Sequence, residues 1–459
     1  MEPAAQPTAQ ETVPDAVETV PETEPETEAK PELPEKDYEG YSFRIMGSHE
    51  KDLKYMLASE STGEVLNDAI YDANAKVMEA FNIRFEDIEI DNRAIAQIGK
   101  MIKAGGDDLD LAYMHNCDTA QNALQGWFLD INGLQYVNTR AEWWPQNTVE
   151  SLTLNNKMYY YSNYSSYEAS YGTRVLFFNK ALLHDNNLEN PYELVWNGKW
   201  TLDKAAEMTK DLYVDENGDG IRGMEDTYGV AAAYYPYCWA ESFGIEMYIK
   251  TPGSSELSLT DNNEHIITVI DKLHNWLFNG NPGTWIEFDM NRPDARGIFQ
   301  ESRAMFIFDI VGDLTTSLMD TDIDFGIVPY PKSDEQQEKF YCGTGDGLIT
   351  APVTTADPER TGIIIEAMAY EGYRKIMPAY IETTLKSRYA TDEECTKMLE
   401  LIFKNQVLSF SYLFANAVPN GMQFRIIYET VPDNNYATWY AQNEKKELRF
   451  MERLTDFYR

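Results

Sequence analysis

Apolar side chains recur along this chain at two different spacings, which separate strands from helices. In residues 41–46 every second side chain is apolar, a pattern typical of a strand with one buried face. In residues 67–81 apolar side chains recur at intervals of three and four, which predicts an amphipathic helix. The same patterns predict a strand at 83–90, a helix at 94–104 that stops at Gly105, and a strand at 109–114.

The rest of the chain repeats this alternation. We predict further strands at residues 173–179, 228–233, 304–308, 324–329 and 348–351, and helices at 200–212, 263–279, 295–302 and 357–371. Strands that alternate with helices predict an α/β fold whose mainly parallel sheets are covered by helices. With 459 residues the chain is too long for one ordinary core, and we expect two α/β units of unequal size.

Residues 1–36 differ from the rest of the sequence, because they contain ten acidic and two basic residues and almost no large apolar ones. Such a segment cannot bury enough surface to offset the entropy of ordering it. We therefore expect a disordered acidic tether, rich in Pro, Glu and Thr. We also expect Met1 to stand in place of a removed export segment.

Charge and cysteine usage exclude several classes of function. The net charge of -38 disfavours binding to nucleic acid or to an anionic membrane surface. No stretch approaches the roughly 20 apolar residues that cross a bilayer. The four cysteines, Cys117, Cys238, Cys342 and Cys395, form no Cys-x-x-Cys pair, which argues against a zinc ribbon or a thioredoxin-type centre. The sequence does not decide whether any two of them form a disulfide.

Seven short segments stand in a characteristic order between residues 156 and 370. They are NKMYY (156–160), VLFFNKAL (175–182), NPYELVWNGKWT (190–201), AMFIFD (304–309), FGIVPYP (325–331), GLITAP (347–352) and EAMAY (366–370). In this order and spacing they resemble the family 1, maltose-binding-like, extracellular solute-binding proteins of ABC transporters. The resemblance covers most of residues 40–400.

The resemblance implies a two-lobed periplasmic-binding-protein-like fold of the class II type, with a hinge between the lobes. Residues 37–165 and 347–400 would form the first lobe, and residues 166–346 and 401–459 the second. The implied function is non-catalytic capture of a sugar or oligosaccharide for delivery to an ABC transporter permease. The expected protein is a monomeric, extracytoplasmic lipoprotein of a Gram-positive-type bacterium, attached to the membrane only through an N-terminal lipid anchor.

Candidate ligand contacts are aromatic residues and polar residues at strand ends. Aromatic rings cover the apolar C–H faces of sugars, and they cluster at residues 143–144, 159–167, 234–239 and 285. We expect residues 143–144 to be core, and the resemblance favours Trp239 and Tyr237 for stacking. Ligands bind at the carboxyl ends of parallel strands. The remaining candidates are His49, Glu50, His115, Asn116, Asn163, Trp285, Asp309 and Asp346.

Residues 215–226, DENGDGIRGMED, match the pattern of a calcium-binding loop. Asp215, Asn217 and Asp219 would supply side-chain oxygens, Ile221 a backbone carbonyl and Asp226 the closing carboxylate. The last position is Asp rather than Glu, which shortens its reach. We expect Ca²⁺ here as a structural staple of the second lobe, and the alternative is an acidic turn without metal.

Two other functions are also compatible with the sequence. An extracellular glycoside hydrolase would need two carboxylates that flank the scissile bond, and 76 acidic residues make such a pair uninformative by itself. A calcium-stabilised surface adhesion protein would lack a deep cleft between lobes. The ligand class is also open, because relatives of similar architecture bind peptides, polyamines or iron.

Overall fold

The computed structural model describes residues 29–47, 53–88, 90, 94–233, 239–287, 294–344, 347–386, 393–418 and 421–459. The strands are β1 (Tyr41–Gly47), β2 (Ile83–Ile88), β3 (Leu111–His115), β4 (Arg174–Asn179), β5 (Tyr213–Val214), β6 (Thr227–Ala233), β7 (Tyr248–Lys250), β8 (Leu257–Leu259), β9 (Thr284–Glu287), β10 (Ala304–Ile310), β11 (Phe325–Val328), β12 (Cys342–Gly343), β13 (Gly347–Thr350) and β14 (Gln406–Val407).

Helices make up most of the remaining regular structure. They are α1 (Val65–Phe81), α2 (Ala94–Ala104), α3 (Asn116–Ala123), α4 (Gln146–Leu152), α5 (Glu168–Tyr171), α6 (Lys180–Asp185), α7 (Pro191–Trp196), α8 (Leu202–Thr209), α9 (Trp239–Ser242), α10 (Asn263–Leu277), α11 (Asp294–Gln300), α12 (Pro358–Glu371), α13 (Met377–Lys386), α14 (Glu393–Lys404), α15 (Phe410–Leu413), α16 (Met422–Thr430) and α17 (Tyr436–Tyr458). Among the described residues, none of these helices combines the length and apolar character needed to span a membrane.

The first large sheet has the strand order β13-β3-β1-β2. β1 is parallel to both β2 and β3, and only β13 runs antiparallel, beside β3. The predicted alternation in β1 puts Phe43 and Ile45 into the core with no exposed surface. Helix α1 buries Ile70, Ala73 and Val77 on one stripe, and it ends at Asn82 in the left-handed conformation.

The second large sheet has the order β11-β4-β10-β6-β5, with β9 paired to β6. The pairs β10–β6 and β6–β9 are parallel, as predicted. β4 instead runs antiparallel to both β10 and β11, and β5 runs antiparallel to β6. The second sheet is therefore mixed rather than mainly parallel. The reason is that the chain enters β4 from the first lobe, at the end of the sheet where β10 finishes.

The chain crosses between the two sheets more than once. It leaves the first at Tyr161, which bridges to Ile349 of β13, and enters β4 at Arg174. It returns through Thr344 to Gly347, where β13 begins. Helix α13 then packs on α1 of the first lobe, whereas α14 packs on β11 of the second. Residue 400, where the sequence suggested the last change of lobe, lies inside α14.

The last helix ties the C-terminus to both parts of the molecule. α17 packs against β8 and α10, and its Tyr458 is fully buried. The Tyr458 hydroxyl lies 3.3 Å from that of Tyr160, and its carbonyl accepts a 2.7 Å hydrogen bond from Asn155. The three described cysteines, Cys117, Cys342 and Cys395, are buried, and no disulfide joins any two of them.

The segment before β1 already contacts the body. Leu33 packs partly buried against the core, and Lys36 forms a 3.2 Å ion pair with Glu359. The expected tether of residues 1–36 therefore includes an attached stretch after residue 29. Residues 1–28 lie outside the described part of the chain.

Candidate functional site

The strand ends of the two sheets meet the segments that connect them. β3 ends at His115, which pairs with Gly347 at the start of β13. In the second sheet β10 ends at Ile310, which pairs with Arg174 at the start of β4. Since the chain crosses between the sheets at these same positions, we infer that both sets of strand ends border the space between the lobes, which we call the interlobe cleft. Because ligands bind at the carboxyl ends of parallel strands, we expect the binding site in this cleft.

Asp309 lies at the cleft end of β10 in a charged cluster. Its two carboxylate oxygens accept hydrogen bonds of 2.7 Å each from the guanidinium of Arg296. Arg296 also donates to Asp313 at 2.9 Å. Burial raises the pKa of Asp309 to about 8, and the nearby Asp313 adds to this rise while Arg296 opposes it. We call Arg296, Asp309 and Asp313 the Arg296 cluster.

Arg296 has the most exposed side chain of this cluster. The side chain of Arg296 is 41% exposed, whereas those of Asp309 and Asp313 are 9% and 5% exposed. A bidentate pair fixes the plane of the guanidinium while leaving further N–H donors. Sequence reasoning found Asp309 but missed Arg296, because Arg296 belongs to a helix and not to a strand end.

A row of tyrosine rings runs beside the Arg296 cluster. Tyr55, Tyr167 and Tyr171, which we call the tyrosine row, are all partly exposed. The ring centroids of Tyr55 lie 5.1 Å from Tyr167 and 5.5 Å from Tyr171. The ring of Tyr171 lies so close to Gly312 that a Cβ there would sit 2.4 Å from it. The row therefore connects the first lobe, through Tyr55, to the end of β10 in the second.

The signal for this row in the sequence is weak. Tyr167 stood at the end of an aromatic cluster, but Tyr55 and Tyr171 were not singled out. Tyr167 and Tyr171 are four residues apart, the spacing that places two side chains on one face of a helical turn. That spacing, inside the segment that crosses between the lobes, could have identified the pair.

The first crossing is anchored to β3 by a buried polar contact. The hydroxyl of Tyr113 donates to the carboxylate of Glu168 and lies 3.1 Å from the hydroxyl of Ser166. Gly347 permits this contact, because a Cβ on it would lie 2.2 Å from the ring of Tyr113. The crossing thus leaves the first lobe at a fixed position.

His115 and Asn116 have different environments although they are adjacent. His115 is exposed at the end of β3, and its carbonyl accepts a 3.0 Å hydrogen bond from Thr119. Asn116 is fully buried, and its side-chain oxygen accepts the backbone N–H of Cys117 at 2.6 Å. Of the two, His115 has the exposed side chain that a ligand requires.

Asn163 lies in the first crossing and is 3% exposed. Its side-chain oxygen accepts hydrogen bonds from the backbone N–H and the hydroxyl of Ser165, at 3.0 and 2.6 Å. Its side-chain nitrogen is buried and has no hydrogen-bond partner within the described residues. A buried donor left unpaired costs about 1–3 kcal/mol, so a ligand acceptor would be favoured there.

The two predicted tryptophans are placed inside the second lobe. Trp239 is 2% exposed, with its ring stacked on Phe308 at 4.4 Å and edge-on to Tyr330 at 5.9 Å. Trp285 is partly buried, its ring lies 5.4 Å from that of Tyr228, and its indole N–H lacks a partner in the described part of the chain. The observed packing of Trp239 favours a core role over stacking on a ligand.

The remaining predicted contacts, His49, Glu50, Tyr237 and Asp346, lie outside the described residues. Each adjoins a strand of the cleft in the sequence. His49 and Glu50 follow β1, Tyr237 follows β6, and Asp346 precedes β13. Their role in ligand binding stays a prediction.

Glu241 is a buried carboxyl group that sequence reasoning missed. It is 6% exposed in α9, and one of its oxygens has no hydrogen-bond partner among the described residues. Burial raises its pKa to about 8, with a further rise from Glu246 and an opposing effect of Arg174. The carboxyl group is therefore mostly protonated at neutral pH.

The predicted calcium loop lies between β5 and β6. Asp215 accepts the backbone N–H groups of Gly218 and Gly220, at 2.7 and 2.8 Å. Asp219 accepts the N–H of Ile221 at 2.7 Å, and Asn217 donates to Asp219 at 3.0 Å.

The closing residue of this loop, Asp226, is hydrogen-bonded to neighbouring residues. It is fully buried and accepts hydrogen bonds from the hydroxyl of Tyr213 and the N–H of Gly223. Within the described residues, no three or more His, Cys, Asp or Glu side chains are grouped to hold a metal ion. Calcium at this loop stays a prediction.

Calcium should raise the thermal stability of the protein if the loop binds it. Ca²⁺ at 10 mM would stabilise the folded state by about 1–3 kcal/mol for a dissociation constant of about 0.1–1 mM. Calorimetry in Ca²⁺, in Mg²⁺ and in EDTA measures this difference. The Asp215→Asn, Asp219→Asn double variant should lose the response. Identical melting temperatures in Ca²⁺ and in EDTA would show that the loop is an acidic turn without metal.

No protein-family model and no curated protein matches this sequence. Solved structures do match the fold. The maltose/maltodextrin-binding domain MalE from Bdellovibrio bacteriovorus, bound to maltotriose, is 14% identical with a TM-score of 0.52, covering 89% of this chain and 100% of that one. The GacH receptor of Streptomyces glaucescens is 11% identical with a TM-score of 0.55, covering 89% and 99%. A family 1 extracellular solute-binding protein from Bifidobacterium longum subsp. infantis is 13% identical with a TM-score of 0.55, covering 87% and 97%.

These likenesses span nearly the whole length of each solved structure. At 11–14% identity they show the fold and not the ligand. The predicted two-lobed solute-binding-protein fold is therefore confirmed.

Proposed function

We propose that this protein captures a sugar or oligosaccharide between its two lobes and delivers it to an ABC importer. The observation that carries the proposal is the partly exposed tyrosine row beside the partly exposed side chain of Arg296, at the strand ends that border the interlobe cleft. Flat rings cover the C–H faces of a sugar, and a guanidinium held by two carboxylates donates to its hydroxyl groups. The fold supports this, since two of the similar structures are described as bound to maltotriose or to acarbose.

Binding would work by selection between two arrangements of the lobes. The lobes are joined by the chain crossings, and in hinged proteins of this kind open and closed arrangements differ by little free energy. A ligand that contacts Tyr55 of the first lobe and the Arg296 cluster of the second stabilises the closed arrangement. A permease would then recognise the closed shape. Recognition of shape requires no chemical step on the ligand.

The proposed setting is extracytoplasmic. We propose a monomeric lipoprotein at the surface of a Gram-positive-type bacterium, held by a lipid anchor that precedes the acidic tail. The net charge of -38 supports a body that stays away from anionic lipid.

A panel of mono- and oligosaccharides should include at least one that raises the melting temperature without being converted. Calorimetric titration would give the affinity, and chromatography of the recovered sugar would test for turnover. Tyr171→Ala should weaken this affinity by about tenfold or more, because it removes a ring from the tyrosine row. Tyr428→Ala, on the surface of α16, serves as the matched control.

Two results would contradict the proposal. Cleavage of the bound sugar would favour the glycoside hydrolase. Equal affinities for the wild type, Tyr171→Ala and Tyr428→Ala would show that the sugar binds elsewhere than at the tyrosine row.

A further inference from the structure

A second cleft lies beside the hinge, and none of the residues assigned above to ligand capture lines it. Its volume is about 680 Å³, and we call it the hinge groove. Its walls come from the turn between α12 and α13 on the first lobe and from the end of α14 on the second. Its lining includes Tyr164, Tyr370, Tyr373, Arg374, Phe403 and Lys404.

Aromatic rings form much of this surface. Tyr164 and Tyr373 lie with their ring centroids 5.5 Å apart, and the guanidinium of Arg374 lies over the ring of Tyr370 at 5.4 Å. Each of these three tyrosines, together with Phe403, is partly exposed. Aromatic-lined grooves bind extended proline-containing segments, since such segments lose little entropy when they dock.

The charge of the hinge groove is opposite to that of most of the protein. Arg374 and Lys404 line it and are exposed, against the single carboxylate of Glu142. In a chain with a net charge of -38, two cations on one aromatic surface select an acidic occupant. The groove also joins the lobes, because Gln406 at its floor donates to Ser170 and Thr173 of the first crossing.

The first described residue of the chain, Ala29, is itself part of the groove lining. The residues that precede it read PETEPETE (21–28), with Glu at every second position from Glu22 to Glu28. Eight residues in an extended polyproline-like conformation span about 25 Å. The acidic segment is thus attached to the groove at one end and complements it in charge and in composition.

We propose that residues 21–28 of this chain dock in the hinge groove, with their glutamates near Arg374 and Lys404. The groove has walls from both lobes, so the docked segment contacts both sides of the hinge. The tail then does more than extend the body away from a surface, because its docking depends on how the two lobes are placed. This inference does not rest on the identity of the ligand.

Hydrogen–deuterium exchange of the full chain tests the docking. Neutralising Glu22, Glu24, Glu26 and Glu28 to Gln should speed exchange in peptides covering 373–381 and 401–406 by about threefold. The matched control neutralises four earlier acids of the same tail, Glu2, Glu11, Asp15 and Glu18. It should leave exchange in these peptides unchanged.

A groove variant tests the same contact from the other side. Lys404→Glu changes an exposed side chain and should speed exchange in the same peptides. Adding the four Gln substitutions to Lys404→Glu should have little further effect on exchange, because both sets of changes remove the same contact. The proposal is overturned if neither set of changes alters exchange, if the control tail variant has the same effect, or if protection depends on protein concentration, as a second copy in the groove would require.

Discussion

Trp239→Ala should lower the free energy of unfolding by about 3–5 kcal/mol, the usual effect of truncating a buried tryptophan. The indole is 2% exposed and lies between Phe308 and Tyr330 in the core of the second lobe. Removing it leaves a cavity that these aromatic neighbours cannot fill. Chemical denaturation of the variant and the wild type measures the loss.

The chain offers a matched tryptophan for this experiment. Trp196 is 45% exposed, and its indole N–H donates to Glu394 at 3.0 Å. Trp196→Ala should cost about 1 kcal/mol or less. If Trp239→Ala is as stable as Trp196→Ala but loses sugar binding, Trp239 stacks on the ligand as the resemblance suggested, and its assignment to the core is wrong.

Glu241→Gln should make the stability of the protein less dependent on pH. The pKa of Glu241 is raised to about 8 in the folded protein, chiefly by burial, and is about 4.3 in an unfolded chain. Between these values the folded state holds a proton that the unfolded state releases. The stabilisation from this proton is complete below about pH 4 and is lost as the pH rises towards 8.

From pH 5.5 to pH 8.0 the free energy of unfolding of the wild type should therefore fall by about 2–3 kcal/mol more than that of Glu241→Gln. The Gln variant keeps a polar amide and cannot ionise. Urea unfolding of both proteins at the two pH values gives this difference. The exposed Glu264→Gln on α10 is the control, and it should follow the wild type. Parallel losses in all three proteins would show that Glu241 is ionised in the folded state.

The secondary structure was predictable because local patterns carry it. Helix α2 has the predicted bounds, and β1, β4 and α10 differ from the predictions by one or two residues at an end. In β1 the apolar residues Phe43 and Ile45 are buried, and the polar residues that alternate with them are only partly buried. The expectation that residues 143–144 are core is also confirmed. Trp143 and Trp144 are buried, and both indoles donate to Glu366.

The direction of β4 was not predictable from such patterns. Its residues from Val175 to Asn179 are buried, and a buried strand looks the same in the sequence whether its neighbours are parallel or antiparallel. The direction follows from where the first crossing delivers the chain, which depends on the contact of Tyr113 with Glu168. Those two residues are 55 positions apart in sequence.

The candidate site was predictable only where it coincides with a strand end. Asp309 directly follows the predicted strand 304–308 and was found, whereas Arg296, 13 positions earlier, holds it from helix α11. The sequence marked Trp239 as a candidate for stacking on a ligand, but it could not show that Phe308 and Tyr330 pack against it. It likewise could not bring Tyr55 against Tyr171, since that contact requires both lobes to be folded.

By itself the sequence determined the helices and strands, the α/β class and the acidic character of the tail, since each follows from side chains that are near neighbours in the chain. Only the tertiary structure decided which charges pair, which rings are exposed and which surfaces adjoin the hinge. Those properties depend on burial and on distances between residues far apart in sequence, which are fixed when the two sheets pack and the chain crosses between them.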